Sequence, residues 1–444
     1  MRTLCLLNTV LVLLLVGGGS AAADRTLSLT AAYDLALRNH PSIHLLRERV
    51  QQAEAARYRA WGALKPTASF QGTFTHHDKE IVIDLAASSP VPVPGLEPIV
   101  FQKQNQFAFS AVAKLPLFMG PAYPAIGVAR KQVELARLTE VRSRREFLLQ
   151  VAQAYYLVVS QKEVVRALEH KVQLNTKHLA AARARFEVGQ SARSEVLRAD
   201  LVATQDAQKL RVEQNNLKAA GQQIGILLGL SGAVDVTRPT EPPSPETASD
   251  SSVREAMIAR HDYRAALQSG DLARQAKDSV WWGFLPMLDL SWLYHWTEAA
   301  GFAGERGSWQ LLFTLNVPLY DGGIRYANLR EASSRIREAE AQRHALALQI
   351  QSEIVKLRSD VDSANAGVVS ARKALELAGT TASDMEVSFE AGAVTQLDVL
   401  DGNQRLLDAE LALTGALFQR DLARLALAHA LGRFNPRGQK RDDG

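Results

Sequence analysis

The sequence repeats itself once. When the chain is aligned with itself at a shift of roughly 200 to 220 residues, motifs of the first half recur in the same order in the second half. Such a chain must build the same structural unit twice, which restricts the folds open to it. The matched motifs are Phe186-Glu187-Val188-Gly189 with Phe389-Glu390-Ala391-Gly392, Trp61 to Pro66 with Trp282 to Pro286, and Leu228-Gly229 with Leu431-Gly432.

The repeats predict the domain organisation. The first structural repeat spans residues 24–236 and the second spans 253–432; each contains a first helix, two strands and a long helical hairpin. Residues 237–252 are rich in Pro, Ser, Thr and Glu, which is typical of a linker. Extra residues around 88–95 predict a long loop in the first repeat, and residues 433–444 are predicted to be a disordered tail.

Apolar residues recur every seven positions in two long stretches without proline, Ala125 to Arg238 and Leu319 to Asn435. A sustained seven-residue repeat indicates supercoiled, packed α-helices. Taken alone, these stretches leave a soluble coiled coil open. The repeat positions are Val151, Val158, Val165, Val172, Leu179 and Phe186 in the first stretch and Ile354, Val361, Val368, Leu375, Ala382 and Phe389 in the second; the series resumes after each motif's glycine, with Arg420 as its one break.

The predicted helices are far longer than those of an ordinary compact domain. A helix from about 125 to 188 runs on the order of 95 Å at 1.5 Å per residue. Its partner, 194–230, is about half as long, and the helical segment 28–61 stacked on it end to end would make up the difference. The second repeat offers the same set at 252–282, 325–389 and 395–431. A long hollow or rod-like assembly is expected.

Between the first helix and the long helix of each repeat, apolar and polar residues alternate. The four alternating segments are 67–75, 107–114, 288–296 and 309–317. Segments of about ten residues with one apolar face match the strands of outer-membrane barrels. The aromatic residues Trp292, Tyr294, Trp296 and Trp309 suit a membrane interface. The alternative is a soluble sandwich, but the chain offers no further sheet that would cover these strands.

Four strands are too few to close a barrel, and open sheet edges are not tolerated in lipid. Closure therefore requires several copies of the chain. Three copies would give twelve strands, although two or four copies would also close a barrel.

The N-terminus is predicted to be a cleaved export signal over residues 1–23. Arg2 precedes a short apolar stretch, and Ala21 to Ala23 form a small-residue cleavage site. Cys5 is the chain's one cysteine, so a disulfide framework and a Cys-rich metal site are excluded. The net charge of +4 is slight, with basic and acidic residues interleaved, so no nucleic-acid partner is expected.

Together these features resemble the TolC-type channel-tunnel family of outer-membrane efflux proteins. The resemblance covers nearly the whole mature chain and is carried by the doubled element order and by the paired motifs ending at Gly189 and Gly392. It implies a homotrimer whose four strands per chain close a twelve-stranded barrel in outer-membrane lipid, continued by an α-helical tunnel in the periplasm. It also implies an exit duct for an inner-membrane pump, reached through a periplasmic adaptor protein.

Val188, Gly189, Ala391 and Gly392 are the predicted adaptor-docking residues. Each glycine ends a long helix and permits the chain to reverse, since Gly adopts positive φ without penalty. By the resemblance, the two reversals form the periplasmic tips that close the tunnel and receive the adaptor. Two structurally required helix caps are the plainer interpretation.

Asp398 and Asp401 are the predicted entrance residues, with Glu195 at the equivalent position of the first repeat. Their spacing places both aspartates on one helix face, and the resemblance implies an acidic ring at a narrow, cation-favouring entrance. Phe389 stands where the family has an aromatic gate residue with a hydroxyl, and Val394 stands where a basic residue is expected. A solvated helix face is the alternative.

No enzymatic activity and no cofactor are predicted. The phosphate-binding, hydrolase and metalloprotease motifs are absent, and His76-His77-Asp78 is interpreted as a polar turn and not as a metal site. The competing hypothesis is a periplasmic coiled-coil scaffold or adaptor without a pore. The sequence does not choose between drug, metal-ion and protein cargo.

Overall fold

The computed structural model describes residues 26–83, 98–239, 252–299 and 305–434. The predicted export signal, Cys5, the loop around 88–95, most of the linker and the part of the predicted tail beyond Phe434 lie outside these residues. The chain divides into two compact units, and both long helices contribute to each of them. Unit 1 comprises Met1–Ile43, Arg144–Ala256 and Ser352–Gly444, and unit 2 comprises His44–Ser143 and Met257–Gln351.

Both predicted long helices are present. Helix α3 (Ala122–Glu187) has 66 residues and α7 (Ile324–Glu390) has 67, and each is followed by a helix of 35 residues, α4 (Arg193–Leu227) and α8 (Gln396–Ala430). The seven-residue repeat marks their buried seams, because it returns apolar side chains to one side of each helix. Val151, Val158 and Val165 of α3 and Ile354, Val361 and Val368 of α7 are buried.

The segments predicted as the first helix of each repeat are two helices apiece. The first repeat has α1 (Leu29–Asn39) and α2 (Pro41–Gly62), and the second has α5 (Ser252–Ala259) and α6 (His261–Trp282). At the first break His40 is extended, because the ring of Pro41 disfavours a helical conformation at the residue before it. Arg260 has a similar extended conformation at the second break, where His261 and not a proline follows.

The two ends of the first repeat are in contact within unit 1. Leu27 and Val236 form a parallel bridge. The hydroxyl of the buried Tyr155 lies 2.9 Å from the carbonyl oxygen of Leu27 and 2.5 Å from that of Thr237. Burial raises the pKa of this hydroxyl.

Unit 2 contains an antiparallel sheet with the strand order β1-β4-β5-β6. The bounds are β1 (Thr67–His76), β4 (Asn105–Met119), β5 (Met287–Thr297) and β6 (Gly307–Asn316). Strands of the two repeats pair at β4 and β5, where Ala111 faces Tyr294. The four strands lie where the alternation predicts them. A separate two-stranded sheet of β2 (Ile81–Ile83) and β3 (Ile99–Gln102) was not predicted, because these strands are too short to show a periodicity.

The register puts the apolar residues of the four-stranded sheet on one face. Phe109 is opposite Trp296, and Trp292 is opposite Leu311. The other face is mostly polar and carries an ion pair between Lys114 and Asp289 at 3.3 Å. Among the helices of the described residues, none combines the length and the apolar character needed to cross a membrane.

Candidate functional site at the two helical tips

The two hairpins of unit 1 reverse through the same backbone geometry. We define the first tip as residues 186–195 and the second tip as residues 389–398. Gly189 and Gly392 have φ values of 72° and 76°, so the predicted positive φ is confirmed at both. The amides of Gly189 and Gln190 donate to the carbonyls of Phe186 and Arg185, and those of Gly392 and Ala393 to Phe389 and Ser388, which is the Schellman pattern of hydrogen bonds in each tip.

The two tips differ in how the next helix begins. In the second tip the amide of Thr395 donates to the carboxylate of Asp398 at 2.8 Å, and the hydroxyl of Thr395 accepts from the amide of Asp398 at 3.4 Å, forming a capping box. In the first tip, Ala192 stands at the cap of α4 and gives no side-chain hydrogen bond. The equivalent of Asp398, Glu195, therefore lies in the first turn of α4 without a box.

The candidate entrance carboxylates have partners on their own helix. Asp398 belongs to the capping box, and the hydrogen bonds from the Thr395 side chain and backbone hold its pKa below the usual value. Asp401, one turn further along α8, forms an ion pair with Arg405 at 2.8 Å. Arg405 offsets part of the negative charge that the sequence places at this position.

Phe389 of the second tip contacts Arg185, the residue directly before the first tip. The guanidinium carbon of Arg185, in the last turn of α3, lies 4.6 Å from the centre of the Phe389 ring, in the last turn of α7. A cation over an aromatic face is attracted by the ring quadrupole. The residue expected to be basic, Val394, is half-buried in the second tip.

The surface of both tips is apolar in part. Val188 is 69% exposed, and Ala391 is also exposed. Further exposed apolar side chains flank the glycines. Phe186 lies in the first tip and Leu197 just after it. Leu397 lies in the second tip and Val387 just before it.

A buried polar cluster lies beyond the tips and was not predicted. Lys171 of α3 forms an ion pair with Asp206 of α4 at 3.0 Å, and Asn175 donates to the other oxygen of Asp206 at 2.6 Å. Lys171 also donates to the amide oxygen of Gln404 on α8. The sequence does carry one signal of this cluster, because Asn175 stands between the buried Leu168 and Ala182 at intervals of seven, which is a seam position.

Next to this cluster, His178 of α3 meets Asn403 of α8, with Nε2 and Nδ2 3.4 Å apart. Burial lowers the pKa of His178; the charge of Glu386 raises it and that of Arg185 lowers it further. The start of α8 thus makes polar contacts with α3 at two successive residues, Asn403 and Gln404.

The aromatic residues proposed for the membrane interface share one face of the sheet in unit 2. Tyr294 is opposite Trp309, and the rings of Trp292 and Tyr294 are stacked 6.3 Å apart. Trp309 is 70% exposed, while Trp296 packs against Phe109. At the end of β1, His76 shares a hydrogen bond of 2.8 Å with Asn105. Within the described ranges no group of three or more His, Cys, Asp or Glu side chains is placed to hold a metal ion.

The chain matches the family described as outer membrane efflux protein, over residues 32–230 and 253–433. Among curated proteins, it is 24% identical over 369 residues to outer membrane protein TolC of Escherichia coli strain K12, covering 74% of this chain and 71% of that protein. It is 27% identical over 330 residues to the alkaline protease secretion protein AprF of Pseudomonas aeruginosa, covering 68% of this chain and 65% of that protein.

Solved structures show the same fold. The outer membrane protein VceC of Vibrio cholerae superposes with a TM-score of 0.70 at 20% identity, covering 91% of this chain and 96% of that chain. The open state of the MtrE outer membrane channel of Neisseria gonorrhoeae gives a TM-score of 0.74 at 15% identity, covering 93% of this chain and 91% of that chain.

Proposed function

The chain belongs to the outer membrane efflux protein family, and we propose that it is a trimeric outer-membrane channel, the passive exit for substrates delivered by an inner-membrane pump and a periplasmic adaptor. The channel has no catalytic activity of its own, and the pump supplies the energy. The helical hairpins of unit 1 lie in the periplasm.

The observation that carries the proposal is the four-stranded sheet. Strands β1 and β6 each pair on one side within the described chain, and one face of the sheet is apolar and rich in aromatic residues. Unpaired strand edges are too costly in lipid. Pairing β1 of one chain with β6 of the next satisfies both edges, and three copies close a twelve-stranded barrel whose apolar face, with Trp292 and Trp309, contacts the lipid.

The tips of unit 1 are the proposed periplasmic entrance. Val188, Gly189, Ala391 and Gly392 offer an exposed, partly apolar turn to the adaptor. Asp401 and Asp398 supply the carboxylates of the entrance, although each also serves its own helix. The sheet and the doubled hairpins disfavour the competing coiled-coil scaffold, which accounts for the helices but gives the sheet no role.

The cargo is not chosen by this chain. Its relatives are named for efflux, as in outer membrane efflux protein BepC of Brucella suis, and for protein secretion, as in AprF. We propose that the pump and the adaptor select what passes through a shared type of duct.

The test begins with the native mass of the protein extracted by detergent from the outer-membrane fraction. We expect a heat-sensitive assembly of three chains that conducts ions in a planar bilayer. A monomer in the soluble periplasmic fraction would overturn the proposal.

The acidic entrance is tested by block with a trivalent cation added from the periplasmic side. Asp401→Asn and Asp398→Asn, which keep a similar shape and an acceptor for the cap, should each weaken the block by about tenfold, because charges in a narrow lumen act at low effective dielectric. Asp362→Asn, on an exposed part of α7, is the matched control and should leave the block unchanged. Unaltered block in both tip variants would remove the carboxylates from the entrance.

A further inference from the structure

The ion pair between Lys171 and Asp206 is buried inside a helical bundle that is packed mainly through apolar seams. The side chains are 6% and 3% exposed. Taking two charges out of water costs several kcal/mol per ion, and attraction with hydrogen bonding roughly offsets this. An apolar pair of the same volume would serve stability at least as well, so the ion pair calls for another role.

The cluster joins two hairpins. Lys171 and Asp206 connect α3 to α4, and the bond from Lys171 to Gln404 reaches across to α8. The amide nitrogen of Gln404 donates to Asp408 at 2.8 Å, which turns the amide oxygen toward Lys171. One residue earlier on α8, Asn403 meets His178 of α3.

Apolar seams alone do not fix the axial position of a helix. Hydrophobic contact is non-directional, and a seven-residue repeat presents equivalent apolar positions one heptad apart. A buried polar group at a seam specifies one register, because any other register leaves that group without partners. Lys171 is such a buried group, and Gln404 is its partner on α8: displacement of that helix would leave the Lys171 ammonium with Asp206 alone.

We propose that Lys171, Asp206 and Gln404 are positioning residues, which fix the axial position of α8 against the α3–α4 hairpin and thereby hold Asp398 and Asp401 in place at the entrance. The effect on the entrance rests on the proposed channel function. The axial position of α8 does not depend on that function. Asp401 precedes Gln404 by three residues, about 4.5 Å along the helix axis, so a displacement at Gln404 is carried directly to the carboxylate.

The experiment compares Gln404→Leu, which removes the acceptor at nearly constant volume, with Gln419→Leu, the same substitution at an exposed position of the same helix. Spin labels at Thr204 of α4 and Ala412 of α8, both exposed, report the distance between these helices in assemblies where unlabelled chains are in excess. We expect Gln404→Leu to broaden and shift that distance distribution and to weaken trivalent-cation block by about tenfold with both carboxylates present. Gln419→Leu should change neither quantity.

Two further variants separate positioning from general stability. Gln404→Glu keeps an acceptor for Lys171 and should retain the native distance distribution. Lys171→Met combined with Asp206→Leu and Asn175→Leu replaces the ion pair and the amide that donates to it by apolar side chains; it should leave the melting temperature near that of the native protein or raise it, yet broaden the distance distribution like Gln404→Leu.

A native distance distribution in both Gln404→Leu and the triple variant would overturn the inference. If the native protein failed to conduct, the channel function would fall while the distance measurement still tested the positioning. If the protein conducted and only the distances stayed native, the channel would stand without the positioning role.

Discussion

Arg185, directly before the first tip, contacts Phe389 of the second tip, with the guanidinium carbon 4.6 Å from the centre of the ring. The two residues stand in the last turns of α3 and α7, which are equivalent helices of the two repeats. The equivalent of Phe389 in the first repeat is Phe186, whose side chain is 43% exposed. The duplicated sequence therefore gives an asymmetric contact, in which one repeat supplies the cation and the other the ring.

We predict that this contact stabilises both tips against local opening. In a double-mutant cycle of Arg185→Met and Phe389→Leu, the coupling free energy should be about 0.5–1 kcal/mol, the range of a cation–π contact at an exposed site. Hydrogen exchange of the tip amides measures the opening directly. Phe389→Tyr keeps the ring face and should retain the coupling with Arg185. As a control, Arg183 pairs with Asp200 and not with a ring, so Arg183→Met should show no coupling with Phe389→Leu. A coupling near zero in the first cycle would contradict the prediction.

We predict that the capping box makes the start of α8 more stable than that of α4. Thr395→Ala removes the cap and should cost about 1 kcal/mol in local stability, seen as faster exchange of the amides at 396–399. The reverse change is available in the first tip. Ala192→Ser creates a Ser-x-x-Glu capping box with Glu195. It should slow exchange of the amides at 193–196, with an increase of about 0.5–1 kcal/mol in the free energy of local opening. If the amides at the two helix starts were equally protected from exchange in the native protein, both predictions would be wrong.

Periodicity made the fold predictable from sequence. The interval of seven located buried seam residues such as Val151 and Ile354. The alternation of apolar and polar residues located the four strands and their apolar face. The reversals were predictable because Gly189 and Gly392 follow the same motif and because positive φ favours glycine. The two-stranded β2–β3 sheet was not predictable, since three or four residues carry no period.

The details of the site were less accessible. Asp398 follows Thr395 at the spacing of a capping box, but the acidic motif around it predicts a carboxylate of the lumen, so its bond within its own helix was not predicted. Charged residues inside a heptad pattern are ordinarily solvated, and nothing local distinguishes Lys171 from its exposed neighbours. Asp206 does stand at a seam position, seven residues after the buried Ala199, but that position does not identify its partner. Only the packing of three helices buries this pair.

Close backbone packing at the end of α4 predicts a strong effect at Gly225. A Cβ atom on Gly225 would overlap the carbonyl oxygen of Gly232, and a backbone atom cannot move aside as the end of a flexible side chain does. Gly225→Ala should lower the stability of unit 1 by at least about 1–3 kcal/mol. Gly367→Ala, on an exposed part of α7 with nothing within 4 Å of the added atom, should instead gain about 0.5–1 kcal/mol through helix propensity. Thermal melting of the two variants, followed by circular dichroism, should move in opposite directions; a shift of the same sign in both would refute the packing argument.

His178 should make the junction of α3 and α8 sensitive to mild acid. Burial lowers its pKa in the folded protein, with Glu386 opposing and Arg185 reinforcing the shift. As the pH falls below about 6.5, the unfolded chain takes up a proton that the folded chain binds less readily, so the free energy of unfolding decreases until the folded-state pKa is passed. Exchange of the α3 amides near residue 178 should therefore accelerate, relative to the intrinsic exchange rate, between pH 7 and pH 5. His178→Gln places an oxygen near the position of Nε2 and should flatten this dependence. His170→Gln, at an exposed position of the same helix, should leave the pH dependence of exchange as in the native protein. If His178→Gln also left it unchanged, the acid sensitivity would belong to other groups.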